Sequence, residues 1–264
     1  MDASPFDGPR DKVRRAREQL NELRKGFGGF WVTHPNRIVE AEEDVKTGKT
    51  ILRFLTPDDA LPVRWSILVG EIAYNLHSAL DQLVCQLAVL KDATVDCSKT
   101  GFPICLYGPR SKAKRKRGEG RWNSRRMGYL KRTHRAMVKR LQPYHRGNGG
   151  RLSPLWLLHE VNNADKHRRI QLFAFTAQVP MLSFGRGSPS PRWFIKKGVR
   201  LVNGAKVGYV ESANATKVKV DYYVTPQVCF SGGCDAVTLL PVVPTLQNMV
   251  NHVEKVVELF AGNP

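Results

Sequence analysis

The stretch RWSILVGEIAYNLHSALDQLVCQLAV, from Arg64 to Val89, decides the fold because its apolar residues recur at intervals of three and four. These residues are Ile67, Leu68, Ile72, Leu76, Ala79, Leu80, Leu83, Val84 and Leu87. Such a pattern predicts a long helix whose apolar side other elements must cover. We therefore expect it to be the central helix of the protein.

The same stretch carries polar residues at helical spacing. Glu71, Asn75, Ser78 and Gln82 form one polar stripe, and His77 lies one turn before Asp81. If a second polar helix faces this one, Asn75 or Asp81 is placed to fix the tautomer of a histidine on it, as a general base requires.

The segment LWLLHEVNNADKHRR, from Leu155 to Arg169, predicts such a second helix. Its apolar start changes abruptly to histidines, amides and charges, so the polar residues begin inside the protein, where each needs a partner. The candidate catalytic residues are His159, Asn163 and His167, and the candidate polar core consists of Asn75, Asp81, Glu160 and Asp165. The alternative is structural: hydrogen bonds among these groups pin two helices together.

Three runs of the chain resemble those of a set of bacterial proteins, common in actinobacteria, to which no reaction is assigned. The runs are VGEIAYNLHSALDQLVCQLA (Val69–Ala88), TGFPI (Thr100–Ile104) and LWLLHEVNNADKHR (Leu155–Arg168), with the motifs NLxSALDxLVxQL and LLHExNNxDKHR. The resemblance implies a shared architecture.

A looser similarity is to the small helical HEPN ribonucleases, in which an Arg precedes a His by four to six residues. Arg140 and His145 in RLQPYH have this spacing. However, Pro143 interrupts the helix that would carry both residues, because proline lacks an amide hydrogen and clashes with the preceding turn.

Length and composition set the broad class of the protein. The chain has 264 residues, of which 42% are apolar, enough for one large core or two modest ones. It contains no apolar stretch long enough to span a membrane, and its N-terminus, MDASPFDGPRDK, lacks the apolar core of a secretion signal. We therefore expect a cytoplasmic protein without a transmembrane segment.

The positive charge of the chain is concentrated in one region. Between Arg110 and Arg140 there are fourteen Lys or Arg residues and one acid, Glu119, which accounts for 13 of the 19 net positive charges. Residues 110–126 predict a solvated basic arm, and a helix over about Asn123 to Leu141 is expected to continue it. The candidate nucleic-acid-binding residues are Lys112, Lys114, Arg115, Lys116, Arg117, Arg121, Trp122, Arg125, Arg126, Arg132, Arg135 and Lys139.

This region favours a polyanion-binding protein, with RNA preferred over DNA because Trp122 and Tyr129 are placed to stack on unpaired bases. An acidic protein or an anionic membrane surface is an alternative partner. A second hypothesis is a metal-independent ribonuclease with His159 or His167 as base, Asn163 or Asn75 orienting it, and Lys166 or Arg168 stabilising the phosphate. A third is a helical interaction module without catalysis.

The remaining sequence predicts the scaffold. An apolar repeat near the N-terminus predicts a helix from about Pro9 to the glycines Gly26, Gly28 and Gly29; its residues are Val13, Ala16, Leu20, Leu23 and Phe27. We expect this helix either to pack on the central helix or to form the interface of a homo-oligomer. Residues 37–55 predict a β-hairpin around the turn KTGK. Strands are expected at 171–184, 193–197, 217–224 and 227–230, and around the hairpin signal Asn203-Gly204, with a closing helix after Pro244.

These elements predict an α+β protein, a bundle of about five helices with an antiparallel β-sheet inserted before the C-terminal helix. The expected division is a helical core of residues 1–170 and 244–264, including the hairpin 37–55 and the basic arm, and an antiparallel β region of residues 171–243.

Several chemistries are not supported by the motifs. The chain lacks a phosphate-binding Gly-Lys-Ser/Thr loop, a nucleophile elbow and a dinucleotide fingerprint, so no cofactor is expected. Five cysteines, an odd number, are expected to stay reduced, although Cys97, Cys105, Cys229 and Cys234 would supply four zinc ligands. A metal held by His77, Asp81, His159 and His167 is possible on residue type alone.

Overall fold

The computed structural model describes residues 4–33, 40–54, 61–109, 111, 127–176, 192–195, 204–211 and 226–263. Its elements in chain order are α1 (Asp7–Thr33), β1 (Glu40–Asp44), β2 (Lys49–Phe54), α2 (Val63–Val89), α3 (Arg132–Arg140), α4 (Pro154–His167), β3 (Gln171–Thr176), β4 (Arg192–Ile195), β5 (Ala205–Glu211), β6 (Pro226–Gly232) and α5 (Val242–Ala261). Short 3-10 helices lie at Cys97–Lys99 and Pro143–Leu152.

Helix α2 is the centre of the fold, as its periodicity predicts. Helices α1, α4 and α5 all pack on it, and residues such as Leu76, Leu80 and Leu83 have no exposed surface. Burying each of these side chains contributes about 1.5 to 3 kcal/mol to folding. Ile67 is an exception, since it is 54% exposed although its spacing predicts an inward position.

Helix α1 does not end at its glycines. Gly26 packs against the indole of Trp65, where a Cβ atom would lie 3.0 Å from Nε1. The rings of Phe27 and Phe30 meet the same indole edge-on, with centroids at 4.7 and 5.4 Å. Packing around Trp65 therefore outweighs the helix-propensity cost of about 1 kcal/mol per glycine, and the predicted end of the helix was wrong.

The apolar face of α1 is used within the chain. Its residues Val13, Ala16, Leu20, Leu23 and Phe27 pack into the core with α2 and α5, and none is more than 8% exposed. Of the two arrangements that the sequence allowed, packing on the central helix is therefore the one observed.

Two antiparallel sheets occupy the described part of the chain. One has the strand order β1-β2-β5-β4, and the other is the pair β3-β6. The hairpin predicted at residues 37–55 is present as β1 and β2, joined by a turn in which Gly48 has a φ of 63°. Strand β2 also pairs with β5, which links the hairpin to the later strands.

The end of the chain returns to the helical core as predicted. A bridge between Cys229 and Pro241 brings β6 beside the start of α5, and Leu246, Met249, Val253 and other residues of α5 are buried. A helix bundle with antiparallel sheets before the last helix confirms the α+β class.

Helix α3 is shorter than predicted. It begins at Arg132, because Lys131 has an extended conformation with a ψ of 151°. Met127 and Leu130 are nevertheless buried, as expected, from a turn that contains Gly128. The predicted basic arm 110–126 and the strands at 199–202 and 217–224 lie outside the described residues, apart from Ser111.

Within the described residues, no helix has both the length and the apolar character needed to cross a bilayer.

Candidate active site and cationic face

Helices α2 and α4 pack against each other, as a site built from the polar residues of both helices requires. Gly70 of α2 allows a close approach, because a Cβ atom there would overlap the carboxylate of Asp165. Later in α2 and earlier in α4, the imidazoles of His77 and His159 lie with ring centroids 6.5 Å apart. We refer to His77, Asp81, His159 and Asn163 as the histidine cluster.

Asp81 holds His77 in a defined orientation. Nδ1 of His77 lies 3.1 Å from Oδ2 of Asp81, and the other carboxylate oxygen accepts a hydrogen bond of 2.8 Å from the backbone N–H of Phe102. A carboxylate only accepts hydrogen bonds, so Nδ1 carries the ring proton. The side chains of His77 and Asp81 are 20% and 43% exposed, which leaves the pair accessible from solvent.

His159 is held by its own helix. The amide nitrogen of Asn163, one turn later, lies 2.9 Å from Nε2 of the imidazole, and the ring packs beside Trp156 with centroids 5.3 Å apart. The helix start is fixed by Pro154 in its first turn and by Ser153, whose hydroxyl accepts a hydrogen bond from the N–H of Trp156. These local features aim His159 towards α2.

The polar stripe of α2 serves the contact with α1 instead. Asn75 donates a 2.9 Å hydrogen bond to Gln19 and accepts one of 3.2 Å from Lys12, while Gln19 donates to Glu71 at 2.6 Å. Asn75 therefore does not orient a histidine of α4. This network has the structural role that the sequence left open.

The other two predicted polar-core residues, Asp165 and Glu160, lie beside different groups of the fold. Asp165 sits against Gly70, where burial and then the nearby Glu71 carboxylate raise its pKa. Glu160 lies near Cys234. Burial and then the charge of Glu160 raise the pKa of that thiol.

The end of α4 is exposed. His167 and its charged neighbours Lys166 and Arg168 all lie at the solvent-exposed end of the helix. Eight residues separate His167 from His159, which corresponds to about 12 Å along the axis. His167 is therefore not part of the histidine cluster.

A disulfide between Cys85 and Cys97 contradicts the expectation that all five cysteines are reduced. It joins the last turns of α2 to the chain that leads into Phe102. Disulfides persist mainly in oxidising compartments, and the cytoplasmic location stays a prediction. The disulfide also removes Cys97 from the proposed set of zinc ligands, whereas Cys105, Cys229 and Cys234 are buried and are not part of a disulfide.

In the part of the chain that the structure describes, no group of three or more His, Cys, Asp or Glu side chains is arranged to hold a metal ion. The proposed set His77, Asp81, His159 and His167 is not brought together, because His167 lies about 12 Å along α4 from His159.

The segment TGFPI is the feature that sequence reasoning did not connect to the site. Phe102 and Ile104 are buried, Phe102 donates its N–H to Asp81, and the N–H of Cys105 donates to the side chain of Gln142 at 2.9 Å. Gln142 follows α3 and caps it by donating to the carbonyl of Val138. The segment Phe102–Cys105 therefore connects the histidine cluster to the end of α3.

Helix α3 presents cations to solvent. Lys131, Arg132, Lys139 and Arg140 are exposed and Arg135 is partly exposed, and the segment contains no acid. We call these five residues the α3 cationic face. No salt bridge involves them among the described residues.

The opposite side of α3 anchors it to the core. His134 and Val138 are buried, and the imidazole of His134 lies edge-on to Phe260, 3.1 Å from the carbonyl oxygen of Asn263. The other predicted nucleic-acid-binding residues lie outside the described residues: Lys112, Lys114, Arg115, Lys116, Arg117, Arg121, Trp122, Arg125 and Arg126.

Arg140 and His145 do not share a helix. Helix α3 ends at Arg140, and the 3-10 helix begins at Pro143, as the proline predicts. Both side chains are exposed, and the imidazole of His145 packs on the ring of Tyr144 at 4.4 Å.

Comparisons with protein-family models, with curated proteins and with solved structures found no match to this chain. Its function must therefore be inferred from the chemistry of its own residues.

Proposed function

We propose that the protein binds a polyanion, with RNA favoured over DNA, through the α3 cationic face. The basic arm at residues 110–126, which lies outside the described residues, would extend the same contact. The observation that carries this proposal is that the cations of α3 are exposed and have no acidic partner among the described residues.

Helix α1 supplies the contrast. It is also rich in arginine, but Arg10 pairs with Glu258 at 2.7 Å, Arg17 pairs with Glu254 at 2.7 Å, and Arg14 pairs with Asp11 at 3.0 Å. These three arginines are paired with acids within the fold. The cations of α3 have no such pairs among the described residues, so a phosphate chain meets little competition there.

The geometry of α3 suits a phosphate backbone. Arg132, Arg135 and Lys139 lie on one side of the helix, and the first and last are about 10 Å apart along the axis. Measured along the axis of a nucleic-acid duplex, this length spans about three nucleotides of one strand. Because the buried side of α3 is fixed on α5, these charges are held in position before a ligand arrives.

Two aromatic residues favour RNA with unpaired bases. Tyr129 is 38% exposed and lies just before the cationic face. Trp122 belongs to the arm outside the described residues. Aromatic rings stack on unpaired bases, which are more common in RNA than in duplex DNA.

The test compares two variants with the same loss of charge. In the first, Arg132, Arg135 and Lys139 are replaced by Gln. In the control, Arg14, Arg15 and Lys25, all exposed on α1, are replaced by Gln. Fluorescence anisotropy would measure binding to single-stranded RNA, duplex RNA, duplex DNA and polyglutamate at several salt concentrations.

We expect the α3 variant to bind RNA more weakly and its slope of log K against log salt to fall by about 2, because three phosphate contacts are lost. The control variant should keep the slope of the wild type. Equal weakening in both variants would refute the site. Polyglutamate binding as tight as RNA binding would refute the preference for nucleic acid, and no salt-dependent RNA binding by the wild type would refute the proposal entirely.

A further inference from the structure

We propose that the histidine cluster is an acid–base site that cleaves RNA, with His77 as the general base and His159 as the general acid. The inference depends on the facing imidazoles of α2 and α4, and it rests on the proposed function only for the identity of the polymer. It differs from the hypothesis drawn from the sequence, in which His159 or His167 is the base, because His77 takes that role and His159 becomes the acid.

His77 has the form that a general base needs. Asp81 accepts the Nδ1 proton, which leaves the lone pair of Nε2 to accept another proton. Among the described residues, Nε2 of His77 has no hydrogen-bond partner. The N–H of Phe102 occupies the second oxygen of Asp81, so the carboxylate cannot turn away without losing that bond.

His159 is suited to exchange a proton because Asn163 can hold both of its protonation states. The amide nitrogen of Asn163 donates to the neutral ring, and the amide oxygen would accept from the protonated ring after a half-turn of the side chain. The centroid distance of 6.5 Å to His77 is too long for a direct bond between the rings. The reaction requires the 2′-oxygen and the 5′-oxygen of the substrate to lie within about 2.6 to 3.2 Å of the reacting ring nitrogens.

The proposed reaction is an internal transesterification. Nε2 of His77 takes the proton of a ribose 2′-hydroxyl, and the 2′-oxygen forms a bond to phosphorus. The bond between phosphorus and the 5′-oxygen breaks, and that oxygen takes the Nε2 proton of the protonated His159 in place of the amide oxygen of Asn163. The products are one chain with a 2′,3′-cyclic phosphate and another with a 5′-hydroxyl. The reaction requires a 2′-hydroxyl, so DNA would bind without being cut.

The site lies close to the α3 cationic face. The N–H of Phe102 contacts the cluster and the N–H of Cys105 contacts Gln142 after α3. Three residues of extended chain span at most about 11 Å. The path along the chain from the cluster to the end of α3 is therefore short.

The first experiment follows cleavage of a DNA oligonucleotide that contains one ribonucleotide, alongside its binding. We expect a 2′,3′-cyclic phosphate product, identified by mass spectrometry, and no cleavage of the all-DNA strand. His77→Ala and His159→Ala should each lower the rate by about 10²- to 10⁴-fold without changing the affinity by more than about twofold. His252→Ala removes a partly buried histidine from α5 and is the matched control.

His77→Gln provides a second variant if His77→Ala does not fold, and circular dichroism would confirm that each variant is native. A ribodinucleotide substrate, too short to reach α3, tests the chemistry even if RNA binding fails. RNA that binds but is not cut, together with an uncut dinucleotide, would overturn this inference and leave the proposed function intact. Cleavage that persists in both histidine variants would also overturn it.

Asp81 is a positioning residue, and Asp81→Asn tests that role separately. The oxygen of the new amide would keep the hydrogen bond from Phe102, so its NH₂ group would face Nδ1 of His77. The proton would then move to Nε2, and the ring would lose its function as a base. Nitrogen-15 NMR should show this change of tautomer together with loss of cleavage; an unchanged tautomer and rate would contradict the assigned role.

Discussion

The disulfide between Cys85 and Cys97 joins α2 to the chain that carries Phe102 towards Asp81. Cys97 is exposed, so a reductant in solution can reach it. We expect reduction, or replacement of both cysteines by Ser, to destabilise the fold. The cause is the greater freedom of the unfolded chain once the cross-link is gone.

The size of the effect follows from the length of the closed loop. The two cysteines are separated by 12 residues. Loop-closure entropy for that length gives about 3 kcal/mol. For a chain of this size, each kcal/mol shifts the melting temperature by about 2 to 4 °C. The expected decrease in melting temperature is therefore about 6 to 12 °C.

Differential scanning calorimetry with and without a phosphine reductant measures this decrease. Thiol titration of the denatured, unreduced protein should count three free thiols, Cys105, Cys229 and Cys234. The variant Cys85→Ser/Cys97→Ser should melt at the temperature of the reduced wild type and show no response to reductant. Five free thiols before reduction, or a melting temperature that reductant does not change, would refute the reasoning.

Three further predictions concern stability. Gly28→Ala should raise the free energy of unfolding by about 1 kcal/mol, because nothing lies near the added Cβ. Gly26→Ala should lose this gain, because its Cβ would overlap with Trp65. Equal midpoints of urea unfolding for the two variants would contradict that packing. Ionisation of Asp165 opposes folding because its pKa is raised in the native state, so Asp165→Asn should be stabilising at about pH 7 and lose its advantage at about pH 3; an advantage independent of pH would exclude the charge as its cause. Burial and then the nearby Cys105 raise the pKa of Tyr144 to about 12, and its hydroxyl has no hydrogen-bond partner among the described residues. Tyr144→Phe should therefore raise the free energy of unfolding by about 1 kcal/mol. It should also remove the tyrosine ionisation that absorbance detects near that pH.

Local pattern was sufficient to predict most of the helices. The periodicity of α2 predicted its bounds to within one residue, and the segment predicted as a second helix, Leu155 to Arg169, contains all of α4 except Pro154. The end of α1 could not be predicted locally, because the helix continues through its glycines only where Trp65 packs against them. Each glycine lowers the stability of the helix by about 1 kcal/mol relative to alanine, and tertiary packing around Trp65 outweighs this cost.

Strand pairing was harder to predict because it joins distant parts of the chain. The turn KTGK indicated the hairpin β1-β2, but no local signal pairs β2 with β5, about 150 residues later in the sequence. The register of this pairing shifts between Leu52 and Arg53, and no feature of the local sequence predicts that shift. The disulfide was missed for a related reason, since cysteine connectivity is not specified by spacing alone.

The candidate site was predictable within each helix and not between them. The pairs His77–Asp81 and His159–Asn163 each span one helical turn, so sequence spacing brings them together. Which faces of α2 and α4 meet depends on the rotation of each helix in the bundle. That rotation directs Asn75 to α1 and His77 to His159, and it could not be derived from the sequence.

The two proposals use different elements of one connected region, so they can fail independently. The cationic face depends on α3 and its anchor in α5, whereas the histidine cluster depends on α2, α4 and the hydrogen bond from Phe102. Only the segment Phe102–Cys105 is shared, and it contributes backbone N–H groups to both sides. Side-chain substitutions on α3 should therefore change affinity and salt dependence while dinucleotide cleavage continues. Substitutions in the histidine cluster should change cleavage while affinity stays the same.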